Sequence, residues 1–204
     1  MIGNIRLVGV REIQTARYWD LGVGAFLNGI GTFRDYLESI PPAPEKSDPR
    51  FPHLVLVEPR IGLEALCRLA GIGGLFPKAD QRISTCTECD AEAQQPVWIL
   101  MQDGRRNKGK TIRECRQAFD TDETALTALQ GVCSFLQYPS VVRTFNDSEG
   151  YAMDLPGTII ANEPCMTPYL GIFDQAWLSF DKDEKAHPKM GTASRLRRFF
   201  GSSF

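Results

Sequence analysis

Five consecutive apolar residues at 97–101, Val-Trp-Ile-Leu-Met, set the first condition on the fold. A strand of that composition is apolar on both faces, so it must run through the middle of a sheet that is covered above and below. A second run, Leu54-Val55-Leu56-Val57, is also strand-sized and continuous. Between the two lies a helical pattern. Leu63, Leu66, Cys67 and Ala70 share one face, Pro59 stands near the first turn, and Gly71 lies just past the end. A chain of 204 residues with 43% hydrophobic content can enclose such strands in a core. No apolar run approaches the roughly 20 residues needed to span a bilayer. The opening residues lack a basic flank followed by an apolar stretch, so the sequence predicts a cytosolic protein without a membrane span.

Residues 5–10 read as a strand. Residues 32–40 read as a helix, because Phe33, Tyr36, Leu37 and Ile40 recur on one face. Residues 41–52 contain five prolines and read as a stiff linker, which separates a small N-terminal portion from the main body of a single domain. Residues 78–95 are polar and aperiodic, which suggests an exposed insertion. A short helix is predicted over 111–119. The best-marked helix covers 121–138, with Asp120 as N-cap, Glu123 as its reciprocal partner, and Leu126, Leu129, Cys133 and Leu136 as the buried seam. Beyond it the pattern turns to strands: a hairpin from 141–145 and 151–155, then 169–173 and 176–180. These elements predict an α+β fold, with one mixed or antiparallel sheet and three to four packed helices.

The sharpest motif is Gly104-Arg105-Arg106-Asn107-Lys108-Gly109-Lys110-Thr111, which satisfies G-x-x-x-x-G-K-[ST]. At that spacing Gly104 and Gly109 let the backbone wrap around phosphate oxygens, Lys110 reaches the outer phosphates, and the Thr111 hydroxyl meets Mg²⁺. A predicted strand precedes the loop and a helix follows it. Asp174, at the end of an apolar run, is the candidate second carboxylate for Mg²⁺. Against this, a P-loop belongs to a parallel βαβ core, whereas nearly half of this chain precedes the motif and hairpins follow it. The same residues belong to a wider basic run of Arg105, Arg106, Lys108, Lys110, Arg113 and Arg116, a surface that suits an anionic ligand or a protein. It has no interleaved aromatics on which bases could stack, and the formal net charge is only −2, so nucleic acid is disfavoured.

Other candidates are sparser. Cys86 and Cys89 form a C-x-x-C, half of a tetrahedral zinc site, but Cys115, Cys165, His53 and His187 are scattered and supply no second pair. Cys67 and Cys133 read as buried reduced thiols. Asp181, Asp183 and Glu184 read as a solvated turn. Residues 195–200 mix cations with aromatics and read as a tail able to dock on a partner.

The second half of the chain carries a resemblance. Thr127-Ala128-Leu129-Gln130-Gly131, then Trp177, then His187-Pro188, then Gly191 with Ser194 and Arg195, resemble a family of bacterial proteins of unknown function. The likeness covers about residues 97–198. In that family a helix opening with L-T-x-x-E/Q-G is followed by a tryptophan, a Pro/His step and a G-x-x-S segment. The resemblance implies no activity. It does imply that Trp177, His187, Gly191, Ser194 and Arg195 form a shared feature, and the Lys of the G-K-T step is not part of the family pattern.

Two functional readings follow. The first is a non-enzymatic binding or interaction protein that uses the basic loop at 105–116 and the C-terminal tail, without a cofactor. The second is a nucleotide-binding enzyme that holds ATP or GTP with Mg²⁺ on Gly104, Gly109, Lys110 and Thr111.

Overall fold

The computed structural model describes residues 3–74, 83–85, 94–160, 163, 165–198 and 200. Its helices are α1 (Gly3–Asp20), α2 (Phe33–Glu38), α3 (Leu63–Leu69), α4 (Ile112–Gln117) and α5 (Ala128–Gln137). Two four-stranded sheets share most of the strands. The first has the order β1 (His53–Val57), β3 (Val97–Gln102), β10 (Ser194–Leu196), β4 (Glu123–Ala125), and every pairing is antiparallel. The second has the order β8 (Ala176–Lys182), β7 (Met166–Ile172), β5 (Ala152–Asp154), β9 (Met190–Thr192); here β5 and β9 are parallel and the rest antiparallel. A two-stranded ladder joins β2 (Ile83–Thr85) to β6 (Thr158–Ile160). The α+β class therefore holds, with the strands divided between two sheets. No helix among the described residues is long and apolar enough to cross a membrane.

β3 is buried at every position and lies inside the first sheet, as its two apolar faces require. α5 is enclosed on nearly every side, with residues 128–134 all buried. Its Leu129, Val132 and Cys133 belong to one cluster with Val55 and Val57 of the first sheet and Met153 and Leu170 of the second. Tyr18, Tyr36 and Ile40 join that same cluster, so α1 and α2 pack on the body from the far side of the proline-rich segment. The segment itself is tied in: Phe51 is buried, and the Trp98 indole donates to the Pro41 carbonyl at 2.9 Å.

Several elements differ from expectation. Residues 5–10 are helical, as part of α1. The buried face of α1 carries Gln14 and Thr15 beside Tyr18, so it lacks the apolar period that would have marked it. Those polar groups have a structural task, because β1 is an edge strand with one row of free backbone groups. The Gln14 amide donates to Leu54 O (2.7 Å) while its oxygen accepts from Leu56 N (2.7 Å). Tyr18 and Tyr138 hydroxyls donate to Leu56 O and Leu54 O. Helix α1 thus pairs the open edge through its side chains.

The helix expected over 121–138 begins only at Ala128, capped by a Thr127–Gln130 box. Asp120 and Glu123 do make their local contact, from Asp120 N to a Glu123 oxygen at 3.4 Å. Pairing with β10 nevertheless holds residues 123–125 extended, and tertiary pairing overrides the local signal. Pro59 precedes α3 by a turn that Gly62 closes. The hairpin expected around 141–155 contracts to a single bridge, Arg143 to Tyr151, after a 3-10 turn at Pro139–Val141. Most of the stretch at 78–95 lies outside the described residues, and its described part includes strand β2.

The largest departure is the C-terminal segment. Residues 194–196 form an interior strand, and Arg195 is fully buried. The tail reading is thereby corrected for these residues: a strand hydrogen-bonded on both sides has no free surface to offer. The edge geometry carries a test. Gln14→Leu roughly keeps the volume but removes both bonds to β1; Leu54 O retains the Tyr138 hydroxyl, while the buried Leu56 amide loses its partner, which should cost about 1–3 kcal/mol. Urea denaturation measures it, and a loss below about 0.3 kcal/mol would show that the edge does not depend on Gln14.

Candidate functional site

Three places in the fold collect chemistry-bearing side chains. The basic loop is the one the sequence marked most strongly. It leaves β3 through Gly104, whose φ of +88° favours glycine and whose missing Cβ is required by the Gly191 carbonyl beside it. A 3-10 turn at Arg105–Asn107 follows, then Gly109 (φ +76°) and the cap of α4 at Thr111. The motif's glycines therefore shape a tight turn packed against β9. The Asn107 side-chain amide and the Gly109 amide donate to Thr192 O (2.9 Å) and Met190 O (3.1 Å).

Amide bookkeeping decides whether this loop can cradle a phosphate. Gly104 N donates to the Gln102 side chain (2.5 Å) and Arg105 N to Asp103 Oδ1 (3.1 Å). Asn107, Lys108 and Lys110 amides close turns within the loop. The Thr111 amide and hydroxyl both donate to Glu114 Oε2 at 2.8 Å, and the Glu114 amide returns to that hydroxyl. Those bonds hold the Glu114 carboxyl below its ordinary range, so the protein's own carboxylate takes the anion position at this helix end. Lys110 is exposed to solvent. The strand before the loop is antiparallel to both neighbours. Gly104, Gly109, Lys110 and Thr111 thus make a capped turn whose backbone amides are engaged within the protein.

The cations of the loop are committed as well. Arg105 pairs with Asp103, Arg106 with Glu123, Arg113 with Glu184, and Arg116 with Asp183 at 3.0 Å. Lys108 and Lys110 form no ion pair with a described residue. The anion surface read from the sequence shrinks to those two lysines.

The residues of the family resemblance fall in three places. Ser194 Oγ bridges Gln102 and buried Glu123, and Arg195 donates to Gln130 Oε1 (3.2 Å) and Leu196 O (3.0 Å). Gly191 packs against Gly104. His187 stands in the turn before β9, where its Nδ1 accepts from Lys189 N. Trp177 is on β8, 38% exposed. No known family, characterised protein or solved structure matches the chain.

The second place is a buried carboxylate group. Asp183, expected in a solvated turn, is buried, accepting from Thr167 and paired with Arg116, whose other arm reaches Pro156 O (2.7 Å). Asp154 lies near it in β5. Burial raises its pKa from 3.8 to about 7, and the charges of Asp181 and Asp183 add to the rise. Among the described residues no group of three or more His, Cys, Asp or Glu could hold a metal ion. Cys86 and Cys89 lie outside the described residues. Cys67, Cys115 and Cys133 are buried and Cys165 is exposed.

The third place is an open cavity of about 460 Å³ lined by Tyr169, Phe173, Asp174, Gln175 and Trp177. All five come from one hairpin, β7 and β8 with the turn between them. Tyr169, Gly171 and Phe173 alternate onto one face of the chain, and Gly171 pairs with Trp177 in register. A Cβ placed on Gly171 would lie 3.2 Å from Ala152 Cβ, 3.8 Å from Phe173 Cε2 and 3.9 Å from Tyr169 Cε2, so glycine lets the chain pass close to Ala152 between the two rings. Asp174, named from the sequence as a prospective Mg²⁺ partner, sits on the rim. The alternating aromatics were visible in the sequence, but they read as strand residues. Only the register to Trp177 makes them a pocket. Neither histidine lines it. His53 lies against the Tyr138 ring at 5.2 Å, and burial lowers its pKa.

Two outcomes test these assignments. Between about pH 4 and pH 7 the folded protein keeps a proton on Asp154 that the unfolded chain has lost, so stability falls as pH rises across that window. The fall should be on the order of a few kcal/mol, and Asp154→Asn should flatten it. Parallel curves for the two proteins in denaturation against pH would remove Asp154 from the account. Lys110→Ala should change stability by less than about 0.5 kcal/mol, and millimolar MgATP should leave the melting temperature of either protein unmoved. A rise that Lys110→Ala abolishes would restore the phosphate reading.

Proposed function

We propose that the protein is a non-enzymatic binding module that takes a small ligand in the aromatic pocket at the β7–β8 tip. The observation that carries this reading is the pocket's composition: three aromatic rings, one amide and one carboxylate around about 460 Å³. That volume is in the range of sites that enclose small molecules. Ring faces offer large apolar contact area at little conformational cost, and the two polar side chains can orient what stacks there. Hydrolytic or transfer chemistry needs a nucleophile paired with a base. The described lining has no serine, cysteine or histidine, which supports binding over catalysis.

The basic loop has a supporting role in this reading. Its arginines are matched by carboxylates and its amides by carbonyls, so it braces β9 and leaves little charge for an anionic partner. A cytosolic setting belongs to the same proposal, since the exposed free thiol of Cys165 suits a reducing compartment.

Tryptophan fluorescence tests the pocket directly. Trp98 is fully buried, Trp19 is half-buried, and Trp177 is the exposed one. Titration with water-soluble aromatic and cyclic fragments should change the Trp177 emission saturably. Trp177→Ala should weaken the same fragments by at least about tenfold, as expected for loss of a stacking anchor. Unchanged affinity of Trp177→Ala in calorimetry would place the ligand elsewhere and end this reading.

A further inference from the structure

Resting on the pocket reading, we infer that the preferred ligand is a small organic cation with a methylated ammonium head. Aromatic faces carry the negative lobe of the ring quadrupole, so rings that line one cavity form a site for a weakly hydrated cation. Tyr169, Phe173 and Trp177 supply three such rings. Asp174 adds a carboxylate on the rim. It is exposed and makes no hydrogen bond or ion pair with a described residue, and no described cation lines the cavity to neutralise it. An anionic ligand would meet this field unfavourably. A bare metal ion would find one carboxylate and no further charged donor.

Methylation weakens the hydration of an ammonium head, so such a head can lie against the side chains of Tyr169, Phe173 and Trp177 at little desolvation cost. Trp177 is fixed from behind. Gly73 N donates to Ala176 O (2.9 Å), Leu178 N donates to Gly73 O (3.0 Å), and a Cβ on Gly73 or Gly74 would overlap the indole. The indole is therefore backed by glycine backbone on one side and open to the cavity on the other. This preorganisation lowers the cost of ordering the site around a ligand. The inferred carrier is a free small molecule, because the cavity belongs to one hairpin and its volume is about 460 Å³.

The experiment compares choline with 3,3-dimethyl-1-butanol, its uncharged isostere, by Trp177 fluorescence and calorimetry on the full chain. Choline is expected to bind at least about tenfold tighter than the isostere. Asp174→Asn should weaken choline about three- to tenfold and leave the isostere unchanged, with melting temperature as the folding control. Equal affinity for the two, with Asp174→Asn indifferent, overturns the cation inference while the pocket reading stands on the fragment data. Absence of binding by both and by the aromatic fragments overturns both readings. A trimethyllysine peptide that binds at least tenfold tighter than choline overturns the small-molecule assignment.

Discussion

Seven residues at 190–196 hold the two sheets together. Met190–Thr192 closes one edge of the second sheet, and Ser194–Leu196 runs through the interior of the first, with only Ala193 between them. The chain cannot leave one sheet without pulling on the other. Most of its polar groups are met by neighbouring elements. Gln102 and Glu123 take Ser194, Gln130 takes Arg195, and Asn107 and Gly109 take the carbonyls of Thr192 and Met190. Burying a guanidinium as deeply as Arg195 is costly unless its donors are matched, so this segment can occupy the core only because α5 and β4 bring acceptors to it.

That constraint explains the basic loop better than phosphate does. A loop leaving β3 has to pass beside Gly191 at a separation that only glycine permits, which fixes Gly104. It must then return amides to β9 and begin α4, which fixes Gly109 and the Thr111–Glu114 cap. Glycine, lysine and threonine at those positions satisfy a nucleotide-binding pattern by spacing alone. In a phosphate cradle the donors point to a shared empty centre; here the amides of Gly104, Arg105, Asn107, Lys108, Gly109, Lys110 and Thr111 each find an oxygen acceptor of the protein.

Much of the fold was legible where burial imposed a period. β1, β3, the end of β7, the start of β8, and α2 all lie close to where the apolar pattern put them. The reading failed where a buried face is polar. Gln14 and Thr15 conceal α1, and Glu123 looks like a capping residue although its carboxylate serves Ser194 and Arg106. Arg195 looked like a solvent-exposed cation because a tail and an interior strand of three residues share the same composition. The pocket was half legible. Trp177 and Asp174 stood out individually, but their meeting with Tyr169 and Phe173 depends on the β7–β8 register, which no local pattern encodes.

The placement of the pocket follows from the same division of labour. Residues 190–196 and α5 commit most of their polar groups to the interior, whereas the cavity lies away from them, on a strand with an open side. β8 is such a strand, at the edge of the second sheet. An exposed tryptophan on an edge strand would ordinarily invite pairing with another chain. Here Gly73 takes backbone bonds beside Trp177, which satisfies the edge at that point and leaves the ring face uncovered. The indole cannot turn away without disturbing β7 on one side and the glycine pair on the other. For the proposed ligand, a ring so held would already be in place, and the free energy of contact would go into affinity and discrimination more than into ordering the site.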